Sequence, residues 1–372
     1  MARCGFFAGT TALAGAASIV HEIALNQARG GDPLDIQQLV PFPAMRQLVE
    51  VARTFEQDYE RIEKGAYKLP YDMYESTDQQ RAPLNVAQQV GSLMAESIGI
   101  LARRKRGNQE DRDTWLTNDF APSLYPRYYQ TAYHYQTDGW MSSKSANVYD
   151  MSTETLFTGT QDAMQRLTIE PVTRKVKQDN VTRNRPLRVL EVACGTGRFA
   201  TFLRDNLPFD TEYTAVDLSP FYLEKAREYD QTWRKLRKTK KENEDSEQMK
   251  TVPLRVIQSQ AESLPFADNS FDFVVCIYLF HELPRPIRSK VAQEMARVVE
   301  PGGTVVFTDS IQQDDQPSLP KMNAFEKVNE PHYTDYLEDY LPGHFESAGL
   351  ECQTKTVCFR SKCLSFEKPL QR

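Results

Sequence analysis

The sequence predicts an α/β fold in which a mostly parallel sheet carries helices on both faces, preceded by an N-terminal helical extension. Three observations predict it. From residue 187 onward, apolar runs of strand length alternate five times with helical patterns, and strands joined by helices run parallel. Arg188-Val-Leu-Glu-Val192 and Tyr213-Thr-Ala-Val-Asp217 read as strands of a buried sheet. Between them, the small-residue turn Ala193-Cys-Gly-Thr-Gly197 opens a helix, an order that brings free backbone amides to a ligand.

Bulk properties set the frame. A chain of 372 residues holds one large domain with an extension, or two smaller ones. With 40% hydrophobic and 26% charged residues it falls in the range of soluble globular proteins. A formal charge of −6 gives no general attraction to a polyanion, which argues against a nucleic-acid partner. Cys194 and Cys276 fall in strand or turn patterns, and Cys352, Cys358 and Cys363 lie on the closing strands. None has zinc-like or redox-motif spacing, so they read as free thiols of a reducing compartment, with no metal expected.

Along the chain, residues 1–25 hold a small, apolar run from Cys4 to Val20, with Arg3 ahead of it and no acid before Glu22. They read either as a targeting segment, which would send the protein to a plastid or mitochondrion, or as a tail of a cytoplasmic protein. The stretch is too short and dilute to predict a stable membrane span. Residues 26–113 form the helical extension. Pro43 opens a stripe of Leu48, Val51, Phe55, Tyr59 and Ile62, and a second stripe runs through Val86, Val90, Leu93, Ile98 and Leu101 after an Asn85 cap. Both read as packing faces, which would equally serve a homodimer. Residues 103–113 are a charged break. Residues 114–185 are rich in aromatics, including Tyr133, His134 and Trp140, and read as a lid over a ligand or as an aromatic mini-core. Residues 186–372 are the sheet domain, with a charged stretch at 228–250 that reads as a solvated insert. Its last elements are a helix around 336–348 and two strands, 351–358 and 361–366.

The turn after the first strand points to a nucleoside. Asp217 follows Gly197 by twenty residues, where a carboxylate accepts hydrogen bonds from ribose hydroxyls. Gly195-Thr-Gly197-Arg-Phe-Ala200 also satisfies the dinucleotide pattern, so a nicotinamide-dependent oxidoreductase competes at this point. Later segments break the tie: Val256-Ile-Gln-Ser-Gln-Ala-Glu-Ser-Leu-Pro-Phe266, Phe271-Asp-Phe-Val-Val-Cys-Ile-Tyr-Leu-Phe-His-Glu-Leu-Pro284, Glu300-Pro-Gly-Gly303 and Thr304-Val-Val-Phe-Thr-Asp309. With these in order, the half from about residue 186 resembles the class I S-adenosylmethionine-dependent methyltransferases, most of all the branch holding the ubiquinone and menaquinone C-methyltransferases.

That resemblance implies a Rossmann-like seven-stranded sheet, whose closing strand pair supplies the antiparallel strand. It implies S-adenosyl-L-methionine as cofactor and S-adenosyl-L-homocysteine as product. Glu191 matches the acid near the methionine end, and Ala193, Gly195 and Gly197 the loop beneath it. Asp217 matches the ribose acid, with Leu218 beside the adenine. Gln260-Ala261 matches the adenine-contacting pair, and Tyr278 at the end of the fourth strand is counted with the cofactor residues. Ala193 replaces a usual glycine and Gln260 a usual aspartate; an amide oxygen still accepts a hydrogen bond.

A sulfonium methyl is electrophilic, so such an enzyme aligns a nucleophile and excludes water. An acceptor hydroxyl or ring carbon also needs a base. His281, with Glu282 beside it, lies at the carboxyl edge after strand four and reads as that base or as a cap of the next helix. Asp309 and the loop stretch Glu330-Pro-His332-Tyr333 are further substrate-side candidates. The predicted function is methyl transfer to oxygen or carbon of a small aromatic or lipophilic acceptor. Competing readings are methylation of a carboxylate, amine or sulfur acceptor, the oxidoreductase, and a non-catalytic scaffold that binds the cofactor.

Overall fold

The structure, a computed structural model, describes residues 43–71, 91, 125–130, 139–157, 159–179, 184–241, 251–315 and 331–370. They fall into two compact units, one within residues 1–57 and 71–163 and the other within 58–70 and 164–372. The segment 1–25, the residues of the second helical stripe, the charged break at 103–113, and Tyr133 and His134 lie outside the described residues.

Helix α1 (Pro43–Glu63), which belongs to the first unit as far as Gln57, starts at the proline that the sequence picks out, since a proline at a helix start loses no hydrogen bond. Its buried face is not the expected stripe. Val51, Thr54 and Asp58 are buried, whereas Tyr59 is 59% exposed. A later helix α2 (Ser143–Leu156) ends near Glu154, whose carboxylate accepts the amides of Gln161 and Asp162 and so caps α3 (Gln161–Gln165). Trp140 packs 5.1 Å from Tyr129, which stacks on Tyr125 at 5.7 Å.

The second unit is the sheet domain. After α4 (Ile169–Asp179) come β1 (Arg188–Val192), α5 (Arg198–Asp205), β2 (Glu212–Asp217), α6 (Pro220–Lys241) and β3 (Arg255–Gln258). The chain continues through β4 (Phe271–Ile277), α7 (Arg285–Val298), β5 (Val299–Ser310), α8 (Tyr333–Leu337), α9 (Leu341–Ser347), β6 (Glu351–Cys358) and β7 (Ser361–Glu367). The seven strands form one sheet in the order β3-β2-β1-β4-β5-β7-β6. The first five run parallel, and β7 lies antiparallel between β5 and β6. The expected Rossmann-like seven-stranded sheet is therefore observed, closing pair included. Strand order reverses between β1 and β4, which opens a crevice at their carboxyl ends.

Buried ion pairs fix the surroundings of the sheet. Asp58, at the end of α1, receives two hydrogen bonds from the buried Arg166 (2.9 and 2.5 Å) and one from Tyr67 (2.7 Å). This is why 58–70 and 164–179 belong to the sheet unit, which begins ahead of the boundary drawn at 186. The turned-in polar face of α1 serves that pair, and Tyr59 is rotated outward. Asp272, inside the otherwise apolar β4, is met by Arg185 at 2.7 and 2.8 Å and by the Arg188 amide at 2.7 Å. A lone carboxylate there would be prohibitively costly; a paired one is tolerated.

The charged stretch from 228 corrects the insert reading. Residues 228–241 are the second half of α6, and Tyr229, Asp230 and Trp233 are buried. Asp230 accepts from Arg204 of α5 at 2.6 Å, Arg204 lies over the Trp233 ring at 4.2 Å, and the indole N–H donates to Asp205 at 2.7 Å. Arg237 closes the cluster on Asp205. Residues 242–250 lie outside the described residues. Trp233→Ala would remove the indole that both α5 and α6 pack on. We expect a loss of about 3–5 kcal/mol in chemical denaturation, and an unchanged midpoint would show that this half of α6 is dispensable.

Candidate active site

The turn between β1 and α5 is built from left-handed backbone. Ala193 (φ 56°), Gly195 (φ 54°) and Gly197 (φ 73°) alternate with ordinary residues. Such a conformation suits glycine and strains alanine by about 1–2 kcal/mol, so Ala193 is a strained position. The two glycines have different reasons. A Cβ on Gly197 would sit 2.6 Å from Ala226 Cβ and 3.0 Å from its Cα, so α5 and α6 approach too closely for any side chain. A Cβ on Gly195 would meet nothing within 4 Å. The protein leaves the space over Gly195 open.

Asp217, at the end of β2, closes this turn. Its Oδ2 accepts the Gly195 amide at 2.9 Å and its Oδ1 the Ser219 amide at 2.8 Å. Burial raises its pKa, against the pull of the Ser219, Gly195 and Leu218 amides. Each carboxylate oxygen has roughly two acceptor directions, so the three amides leave one for a ligand. The Asp217 carbonyl accepts the Ser259 amide at 3.0 Å, which brings Gln260 and Ala261 to the same corner. The half-buried Gln260 side chain makes no hydrogen bond among the described residues. Leu218 is half-buried, its carbonyl held by Gln258 at 3.0 Å.

Glu191 lies two residues before the turn, between Ala215 of β2 and Val275 of β4. It accepts a hydrogen bond from the Tyr213 hydroxyl at 2.8 Å, a partner the sequence did not flag. Burial pushes its pKa up to about 8; the Tyr213 bond opposes this and the Asp217 charge adds to it. The carboxyl is therefore mostly neutral at pH 7 unless a positive charge comes close.

The second cluster sits at the carboxyl ends of β4 and β5. Residues 280–282 form a 3-10 turn, with His281 and Glu282 buried. Asp309 of β5 anchors it: Oδ2 accepts the Phe280 amide at 2.8 Å, and Oδ1 lies 2.6 Å from His281 Nδ1 and 2.7 Å from the Ser310 amide. Nε2 of His281 is 3.5 Å from Glu282 Oε1. Burial disfavours the imidazolium, but the charge and hydrogen bond of Asp309, followed by Glu282, raise its pKa well above the ordinary value. Three tyrosines meet the imidazole edge to face, Tyr278 at 6.3 Å, Tyr333 at 6.2 Å and Tyr336 at 6.1 Å.

The sequence candidates thus separate into two corners. Glu191, Ala193, Gly195, Gly197, Asp217, Leu218, Gln260 and Ala261 gather at the ends of β1, β2 and β3. His281, Glu282 and Asp309 gather at β4 and β5. Tyr278, counted with the first group, joins the second: it takes a left-handed φ of 54° and its hydroxyl shares a 2.5 Å hydrogen bond with Ser361 of β7. His332 is half-buried and enters through its backbone, whose carbonyl accepts from Arg288 at 3.0 Å. Its imidazole pKa is lowered by burial and by Arg288. Trp140 belongs to the first unit.

Sequence reasoning reached Tyr333 as a substrate-side candidate beside His332, but missed Tyr336 and Arg288. The fully buried Arg288 donates to the Phe280 carbonyl (2.9 Å), Asp335 (2.9 Å) and Asp339 (2.8 Å), tying the 280–282 turn to the segment holding both tyrosines. An arginine in the middle of the buried face of α7 was the available signal.

Residues 190–307 match a family model described as a methyltransferase domain. A probable phthiotriol/phenolphthiotriol dimycocerosates methyltransferase 2 from Mycobacterium ulcerans is 34% identical over 33% of this chain and 39% of its own length. A demethylmenaquinone methyltransferase from Staphylococcus aureus is 30% identical over 40% of this chain and 51% of its own. The chain thus spans about half or less of the length of these curated relatives. Among solved structures, a putative sarcosine dimethylglycine methyltransferase from Galdieria sulphuraria is similar over 56% of this chain and 88% of its own, at 18% identity and a TM-score of 0.40. The matched span runs from the strand before the glycine turn to the strand that carries Asp309, and over that span the chain is similar to methyltransferases.

Proposed function

We propose that the protein transfers a methyl group from S-adenosylmethionine to oxygen or carbon of a small acceptor with an aromatic or lipophilic body. One observation carries the proposal: an open left-handed turn at Gly195 faces a half-buried Asp217 whose carboxylate keeps one acceptor direction for a ligand. That arrangement fits a ribose, and the Gln260 amide beside it fits an adenine edge. Glu191, neutral without a ligand, suits a cationic one that restores its charge. The relatives support the acceptor class, being named for demethylmenaquinone and for phthiotriol/phenolphthiotriol dimycocerosates.

When bound, the cofactor supplies an electrophilic methyl group on a sulfonium. The chain's own residues then have two tasks. The tyrosines around His281 exclude water and offer flat faces to the acceptor. His281 takes the acceptor proton at Nε2, the nitrogen that Asp309 does not engage, and Asp309 stabilises the resulting imidazolium. Methylation at a carboxylate, amine or sulfur would leave His281 without that task.

Calorimetric titration with S-adenosylmethionine, S-adenosylhomocysteine and NADH tests the cofactor, with binding of the first two and none of the third expected. Asp217→Ala should weaken both sulfur nucleosides by about 1.5–3 kcal/mol for each charge-assisted hydrogen bond lost; undiminished affinity would remove Asp217 from the ribose. Glu191 gives a second test. At pH 7 it is mostly protonated, and a cation beside it lowers its pKa, so binding of S-adenosylmethionine should release a proton. Calorimetry in buffers of different ionisation enthalpy should show that release in the wild type and lose it in Glu191→Gln.

The pH dependence of turnover follows from His281. A base must be neutral, and the charge and hydrogen bond of Asp309 raise the pKa of this imidazole well above its ordinary value, against its burial. Turnover should therefore climb as pH rises above neutrality. Asp309→Asn should move the climb to lower pH, and His281→Ala should cost about 10²–10⁴-fold with S-adenosylhomocysteine affinity kept. A pH profile that Asp309→Asn leaves in place would discard the base.

A further inference from the structure

The β6–β7 hairpin ends in a two-residue turn, Phe359-Arg360, at the carboxyl edge of the sheet. The Arg360 carbonyl accepts the Ile311 amide at 3.0 Å, two residues past Asp309. The next residue, Ser361, holds the Tyr278 hydroxyl. The turn is therefore stitched to both strands that flank His281.

Arg360 differs from the other arginines packed in this unit. Arg166 is paired with Asp58, Arg204 with Asp230, Arg237 with Asp205, and Arg288 with Asp335 and Asp339. Arg360 has no carboxylate partner among the described residues. Burial lowers its pKa, and the one ionisable group that acts on it is Tyr333, the tyrosine at 6.2 Å from His281. Its guanidinium carbon lies 5.3 Å from the centre of the buried Phe359 ring. Such contact occupies a face of the guanidinium and leaves the N–H donors on its rim available. Phe359 itself is held at φ 50°, the left-handed backbone that the first position of a two-residue hairpin turn requires.

We propose that Arg360 is an anion anchor of the acceptor site, holding a carboxylate on the molecule that is methylated. The planar fork of the guanidinium matches a carboxylate in two parallel hydrogen bonds. The turn's hydrogen bonds to Ile311 and, through Ser361, to Tyr278 would set the anion beside the strand ends that carry His281. The inference rests on the methyltransferase reading and narrows its acceptor to an aromatic or lipophilic acid.

The test uses the full chain saturated with S-adenosylhomocysteine, titrated with two matched pairs: benzoate and benzamide, then 3,4-dihydroxybenzoate and 3,4-dihydroxybenzamide. We expect the acids to bind at least about tenfold tighter than the amides. That preference should vanish in Arg360→Gln and persist in part in Arg360→Lys, with the amides unaffected. Thermal midpoints give an independent readout. Loss of a structural arginine lowers them, whereas loss of a cation buried without a counter-charge leaves them unchanged or raises them. Equal binding of acid and amide by the wild type, or a preference that survives Arg360→Gln, would overturn the proposal. So would weaker S-adenosylhomocysteine binding in Arg360→Gln, because the anion would then be the carboxylate of the cofactor. If S-adenosylhomocysteine fails to bind the wild type, the cofactor reading falls separately.

Discussion

The pairing of β1 with β4 is the constraint on which the site depends. Their register, Val189 to Phe273 through Val192 to Cys276, makes both strands central, and each sends its chain onward in the opposite direction. No crossover can cover the gap between their carboxyl ends. The turn after β1 and the turn after β4 consequently face one opening. One carries the left-handed backbone held by Asp217, and the other carries His281. Two chemistries meet because two strands with opposite successors are neighbours.

Polar groups around that opening are held by carboxylates buried where a solitary charge would be untenable. Asp309 receives two backbone amides and an imidazole, and Asp217 receives amides from both sides of its own turn. Arg288 performs the complementary duty with cationic donors. Below them, Phe280, Phe307, Phe345 and Phe366 pack ring against ring at 4.5–5.5 Å. The 280–282 turn thus rests on a rigid apolar base and is pinned from above by ions, a setting that keeps an imidazole in one orientation.

What the sequence made legible was local. Strand runs, the glycine turn and the closing hairpin are contiguous patterns, and all are where the pattern puts them. The cofactor-corner residues are likewise short-range features of strand ends. Features decided by distant partners were not legible. Tyr59 reads as core until Arg166, 108 residues away, claims Asp58 and turns α1. The charged half of α6 reads as solvated because the spacing of Tyr229, Asp230 and Trp233 matters only once α5 lies alongside. Tyr336 shows in the sequence only as the start of a helix, and the Arg288 clamp on His332, Asp335 and Asp339 ties its segment to the 280–282 turn. Asp309 was singled out for its strand end, but its grip on an imidazole 28 residues earlier needs the sheet.

The placing of β7 between β5 and β6 also sets an order of assembly. When β6 is synthesised, the strand that will hold it does not yet exist, and β5 is not its neighbour in the finished sheet. The two strands can first meet each other across the Phe359-Arg360 turn, as local hairpins do quickly, and then add to β5 together. The corner around Asp217 needs none of this. A nascent or partly folded chain would therefore own the corner around Asp217 before it owns Arg360 and Ser361, an order that pulsed hydrogen exchange of β2 and β7 amides would resolve. The last piece to dock would be the hairpin whose turn is tied to Ile311 and Tyr278.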